Sequence, residues 1–258
     1  MARFQTYPFH LLFLLVLAST VQLNAQQDTT AIGKVLYFQT TSAGGDAHKN
    51  GVTALYFNAG RSLYVHLGAP KSDTSFSTPE FISATVHGDV EGFPILKLHA
   101  AQKMYCKGWC PPPSKELCVV TDTMDPIDWL IVPNEHKRFG QYNCRRATGR
   151  YRGRTYDVWY AEDLPVPSGP FKLGGLPGLI LEAQSTDGVV KFEFMELTLS
   201  PSIAQAINIR SGVIPDLSLQ EVNQTRQAFL KRQIEFAKSK GVEMTLTIQE
   251  TIEVFSEN

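Results

Sequence analysis

Hydrophobic residues recur at every second position through most of this chain. Leu63, Val65 and Leu67 alternate with Tyr64 and His66, and Val190, Phe192 and Phe194 alternate with Lys191 and Glu193. Met244, Leu246 and Ile248 alternate in the same way with Thr245 and Thr247. A period of two places one face of a strand against a core and the other in water. Turn residues separate the runs at hairpin distances: Asn58-Ala59-Gly60 ahead of Arg61, and Asp187-Gly188 between Gly178–Ala183 and Val189–Leu197. Tyr142–Thr148 and Thr155–Ala161 read as neighbours joined by the segment Gly149 to Arg154. The pattern predicts an antiparallel meander.

One segment changes period. Ser218-Leu219-Gln220-Glu221 has the form of a capping box, with Leu217 and Val222 placed as a hydrophobic staple. Val222, Phe229, Leu230, Ile234 and Ala237 follow a helical stripe, and Lys238 and Lys240 before Gly241 suit a last turn and stop. A single sheet needs a cover, so the helix is expected across its concave or open face. The fold class predicted is mainly β (α+β): a curved antiparallel sheet or half-barrel covered by one long C-terminal helix. Thr40 to Asn50 and Gly68 to Pro79 read as loops, and Pro111-Pro112-Pro113 as a stiff polyproline segment.

Pro165 to Glu182 departs from both periods. It is dense in Pro and Gly yet apolar at its centre. Leu176-Pro177-Gly178-Leu179 has Pro and Gly where a type II turn wants them. Leu176, Leu179, Ile180 and Leu181 must then fold onto a core or meet a partner, because together they would form an apolar patch. Pro170, Phe171, Leu176, Pro177, Gly178 and Leu179 are the candidate partner-binding residues.

Composition narrows the class. Arg3, the apolar run Leu11–Ala18 and Leu23-Asn24-Ala25 before Gln26 have the order of a secretory signal, so residues 1–25 are expected to be removed. The apolar run is shorter than the roughly 20 residues of a membrane span. A mature chain 26–258 has 258 − 25 = 233 residues and reads as a single domain without a transmembrane span. Its charge is 23 − 25 = −2 once Arg3 is gone, which favours neither nucleic acid nor an anionic membrane. Arg145, Arg146, Arg150, Arg152 and Arg154 cluster locally and read as the solvated end of a hairpin.

Cys106, Cys110, Cys118 and Cys144 all lie in the part expected to be exported, where an oxidising compartment favours disulfides. Four cysteines allow three pairings. Local spacing favours Cys106 with Cys110 and Cys118 with Cys144, the second closing a loop worth about 3 kcal/mol in the chain-entropy model. Cys106-Lys107-Gly108-Trp109-Cys110-Pro111 also has the CxxxCP form of a soft-metal site, but no strand–helix–strand unit follows it. His48, His66, His87, His99 and His136 show no HxxH or HExxH spacing, and Ser168 lacks a GxSxG elbow. No catalytic residue, metal or cofactor is predicted.

The order Ile127-Asp128-Trp129, Tyr142-Asn143-Cys144-Arg145-Arg146-Ala147-Thr148, Tyr151-Arg152-Gly153-Arg154, Val158-Trp159-Tyr160, Gly169-Pro170-Phe171 and Gly175-Leu176-Pro177-Gly178-Leu179-Ile180-Leu181-Glu182 resembles the GLPGLI family of Bacteroidetes exported proteins. The resemblance spans roughly Asp125 to Leu197. Gln141 replaces a usual Gly, and Cys106, Cys110 and Cys118 stand outside the family pattern. The resemblance implies a periplasmic or envelope-associated protein, often encoded near outer-membrane receptors of the TonB-dependent type. Its order of strands also looks like the half-barrels of periplasmic lipoprotein carriers, an analogy of fold. The expected function is therefore a non-enzymatic envelope binding module with an outer-membrane protein partner. The alternative is a carrier of a lipid or other apolar ligand on a concave sheet, and a Cys-based thiol or metal enzyme stands behind both.

Overall fold

The computed structural model describes residues 30–42, 48–68, 93–111, 113–114, 116–200, 203, 205–210, 212 and 217–241. The expected signal segment 1–25, most of the Gly68 to Pro79 loop, His87 and the expected strand Met244 to Ile248 lie outside them.

Eleven strands form one sheet: β1 (Gly33–Ser42), β2 (His48–Phe57), β3 (Arg61–Leu67), β4 (Ile95–Leu98), β5 (Lys103–Trp109), β6 (Leu117–Thr123), β7 (Leu130–Phe139), β8 (Tyr142–Tyr151), β9 (Arg154–Ala161), β10 (Leu179–Ser185) and β11 (Val190–Leu199). Their order is β6-β5-β4-β3-β2-β1-β11-β10-β9-β8-β7. Two antiparallel meanders, β1 to β6 and β7 to β11, are thus fused where β1 pairs with β11. Among the described residues the sheet is open, with β6 and β7 at its edges, and one helix, α1 (Leu219–Ser239), follows it.

The turns form where their chemistry dictates. Asn58 Oδ1 accepts from the backbone N–H of Gly60 at 2.9 Å and of Arg61 at 3.0 Å, closing the β2–β3 turn. β8 and β9 run further than their sequence pattern suggests, leaving a two-residue turn at Arg152-Gly153 with φ of 44° and 82°. Positive φ at both central residues matches the right-handed twist of a hairpin.

Alternation is clean in β1, where Val35, Tyr37 and Gln39 are buried and Phe38 is exposed. It breaks down in β3, where Leu63 and Tyr64 are both buried, so the expectation of one wet face fails there. Ile207, with Ile203 and Ile209 beside it, packs with Ala31, Leu63 and Leu96 in a second small core on the opposite face. Backbone bonds fix this cover: Ala31 N–H donates to Gln205 O at 3.1 Å, and Ser200 N–H to Ile32 O at 3.1 Å.

The capping box of α1 forms as read from the sequence. Ser218 Oγ accepts from Glu221 N–H, and the Glu221 carboxylate accepts from Ser218 N–H at 2.7 Å. The helix docks by its first turns. Leu219 and Val222 join the main core, and Ser218 bridges to Thr121 of β6. Of the predicted stripe, Val222 and Ala237 are buried, Phe229, Leu230 and Ile234 are half-buried, and neighbouring Phe236 is 63% exposed.

Candidate functional site

The Pro- and Gly-rich connection between β9 and β10 crosses one face of the sheet and packs into the main core through Leu164, Val166, Leu173 and Leu176. Its residues touch β3 and β4, which stand four and five places from β10 in the sheet order. Lys97 of β4, fully buried, donates from Nζ to Gly169 O at 2.7 Å and to Leu173 O at 2.9 Å. Ser62 of β3 meets Ser168 at 2.8 Å between hydroxyl oxygens. On the other side, Trp129 Nε1 donates to Gly174 O at 2.9 Å. The missing side chain of Gly149 seats that indole, since a Cβ there would lie 2.6 Å from the Trp129 ring. The segment is a plug.

This placement corrects the reading of the loop as a docking surface. Pro170, Leu176, Gly178 and Leu179 are buried in the plug, Phe171 is half-buried, and Pro177 alone of the six is exposed. Leu176 and Leu179 take the core position, one of the two outcomes their sequence allowed. The type II turn is also absent, because Gly178 does not adopt positive φ. Glycine is needed there for close approach: a Cβ would lie 2.1 Å from the carbonyl oxygen of Ala161.

The cysteines require a second correction. Cys110 is bridged to Cys118, with Cα atoms 5.0 Å apart, whereas Cys106 and Cys144 are buried thiols. Cys106 and Cys110 lie four residues apart on an extended segment, roughly 13 Å, beyond the reach of a disulfide. Cys144 belongs to the other meander, where it stands opposite Lys137 and Ala161. Burial first, and then the charges of Asp163 and Glu182, push its thiol pKa up to about 12, which makes it a poor nucleophile.

Two polar clusters flank the plug, and the sequence pattern signalled neither. In the first, His99 Nδ1 lies 3.2 Å from Ala59 O, which can only accept, so Nδ1 carries the proton. Nε2 is then left to accept from Ser62 Oγ at 3.3 Å, and Ser62 accepts in turn from Ser168. Burial, with the Lys97 charge adding to it, lowers the His99 pKa against the Ala59 bond. Burial also depresses the Lys97 pKa to about 7, partly offset by Cys106.

In the second cluster, Asp122 of β6 accepts two bonds from Arg152 at 2.8 Å and pairs with Lys172 of the plug at 2.9 Å. Burial by itself would raise the Asp122 pKa. The Arg152 hydrogen bonds and the Lys172 charge overcome that and hold it below the usual range. In the basic hairpin Arg145, Arg146, Arg152 and Arg154 are therefore ion-paired, whereas Arg150 is exposed as expected of a solvated end. Arg146 pairs with Glu135 and Asp157, Arg145 with Glu162, and Arg154, 7% exposed, with Asp187.

Between the plug, β3 to β6 and the first turns of α1 lies a cavity of about 310 Å³. Tyr64, Phe93 and Phe171 supply aromatic walls, Ile95, Val120, Leu219 and Val222 aliphatic ones, and His66, Lys107, Lys172 and Arg226 basic groups. Phe171 meets Tyr64 edge to face at 6.3 Å, as does His66 at 5.7 Å. Phe93 and Phe171 both hold left-handed backbone, with φ of 47° and 51°. Such geometry is uncommon for bulky residues and is maintained by its surroundings. Gly108 opens a gap in the floor, where an added Cβ would meet nothing within 4 Å.

A family model described as "Protein of unknown function (Porph_ging)" matches residues 150–182. That stretch runs from the β8–β9 hairpin through the plug into β10. Two solved structures share the fold. "Structure of PNGF-II in P21 space group" is 16% identical with a TM-score of 0.52, and "Structure of PNGF-II in C2 space group" is 15% identical with a TM-score of 0.51. Each alignment covers 76% of this chain, which spans about a third (33%) of the length of those chains. No curated protein matches the sequence.

Proposed function

We propose that this chain is an exported, non-enzymatic binding protein of the cell envelope, whose site is the cavity beneath α1 and whose ligand is small with a flat apolar body. The observation that carries this reading is the pair of cavity-lining phenylalanines, Phe93 and Phe171, both held in left-handed backbone. Strain of this kind persists where the surroundings impose it, and it collects at ligand clamps. The volume, about 310 Å³, falls at the lower end of small-molecule sites. The reading is closest to the carrier alternative, with the cavity under Leu219–Arg226 of α1.

Two features of the sequence supply the cellular setting. The signal-like residues 1–25 support export, and the Cys110–Cys118 bridge is compatible with an oxidising compartment. Resemblance to the GLPGLI family extends the proposal to service beside an outer-membrane receptor system, with a receptor protein as partner. Contact with that partner falls to surfaces outside the buried leucines.

Titration of the purified chain with N-phenyl-1-naphthylamine, a neutral apolar fluorophore, tests the site. Saturable binding at one probe per chain is expected. Gly108→Leu should fill the cavity floor, weaken binding by about tenfold or more, and leave the circular dichroism unchanged. Absence of saturable binding, or equal binding by the variant, would overturn the reading.

A further inference from the structure

The register of β5 with β6 gives Cys118 two sulfur neighbours. Cys118 stands opposite Gly108, so Cys106 and Cys110 flank it on either side, each two residues from that glycine. The last paired residue before Cys110 is Trp109, opposite Leu117, and Cys110 N–H then donates to Glu116 O at 2.9 Å. Side chains two apart on a strand share a face. Accordingly, all three cysteines belong to the same core cluster, and Cys106 and Cys118 both line the cavity. Cys110 holds the bridge; Cys106 retains its thiol.

We infer that Cys106, Cys110 and Cys118 form a thiol–disulfide exchange site, in which the bridge on Cys118 moves between Cys110 and Cys106. Exchange requires the attacking sulfur to approach on the side of the target sulfur opposite the leaving one. The strand provides that arrangement, with Cys106 on one side of Cys118 and Cys110 on the other. Diagonal neighbours on paired strands stand about 7–8 Å apart, beyond the reach of a disulfide, so β5 must slide along β6 at this end for the Cys106–Cys118 bond to form. Gly108, with no side chain and open space where a Cβ would be, leaves room for the sulfurs to meet.

The step balances within the chain. The Cys106 thiolate attacks Cys118 Sγ, the Cys106–Cys118 bond forms, and the Cys110–Cys118 bond breaks. The electron pair leaves on Cys110 Sγ, which takes up the proton that Cys106 gave up. No oxidant or reductant is consumed. The two bridge states differ in which sulfur faces the cavity and in whether the Pro111 turn is tied to β6.

Trapping with N-ethylmaleimide in the absence of added thiol, followed by digestion without reduction and peptide mapping, tests this on the full chain. Two products are expected: a Cys110–Cys118 bridge with the label on Cys106, and a Cys106–Cys118 bridge with the label on Cys110. Cys106→Ser should abolish labelling of Cys110. Labelling of Cys106 alone in the parent chain would overturn the inference, as would labelling of Cys110 that persists in Cys106→Ser. Cys110→Ser supplies a measurement independent of the first. In a glutathione redox buffer it should lose two hydrogens and form the Cys106–Cys118 bridge, whereas only glutathione adducts or two retained thiols would count against the exchange.

Discussion

Single residues in the plug carry consequences out of proportion to their size. Leu176 is 2% exposed and sits in the main core. Leu176→Asp would bury a carboxylate without a designed partner, so a loss of about 4 kcal/mol or more is expected. Thermal unfolding followed by circular dichroism would check it, since a variant that melts like the parent chain would mean the side chain is not in the core. The sequence made an apolar cluster obvious here but left two homes for it, a core or a partner. Gly178 was legible as a turn residue for the wrong reason. Its need is for contact with the Ala161 carbonyl, a non-local approach that no turn pattern encodes.

At the scale of elements, the plug is fastened to the sheet through Lys97. A neutral amine has two N–H donors, and Gly169 O and Leu173 O use two. With the folded pKa near 7 against 10.5 for the unfolded chain, the buried ammonium is penalised fully below pH 7. Between pH 7 and the onset of tyrosine ionisation the unfolded state binds the extra proton, so stability should rise with pH. Above about pH 10 the buried phenols of Tyr37 and Tyr64, whose pKa values burial raises, reverse the trend. Lys97→Met should flatten the rise in denaturant midpoints between pH 7 and 9. It should also cost about 1–3 kcal/mol at the upper end, because two buried carbonyls lose their donor. A rise of equal slope in both proteins would refute the assignment. Ile95-Leu96-Lys97-Leu98 gave no hint of this, since a lysine in a short strand ordinarily marks its wet face.

For the whole molecule, Asp122 joins parts that are distant along the chain: the β6 edge, the β8–β9 hairpin through Arg152, and the plug through Lys172. Its folded pKa is held below the ordinary aspartate value of 3.8, so the carboxylate contributes stability above that pH and loses it as pH falls through the folded value. Asp122→Asn would leave two buried cations without their shared anion, at a cost of about 3–5 kcal/mol near neutrality. The variant should also lose part of the acid-dependent fall in stability. Melting temperatures at pH 7 and pH 3 would check both effects, and an unchanged difference between the two pH values would remove the cluster from the account.

Periodicity and turn chemistry marked β3 and β8 to β11, the hairpin turns beside them and the capped helix, because those depend on neighbours two to four residues away. The open antiparallel sheet followed from them. Which sulfur pairs with Cys118, that Leu176 points inward, that β3 is covered on both faces, that Lys97 and Asp122 hold the plug, and that Phe93 and Phe171 line a cavity were settled only by the tertiary structure. Each depends on which strand lies beside which across a curved sheet and on where the plug descends. Most of those placements are fixed by the packing of segments distant in the chain, such as Lys97 against Leu173 (173 − 97 = 76), and by the desolvation and pairing of the charges they enclose.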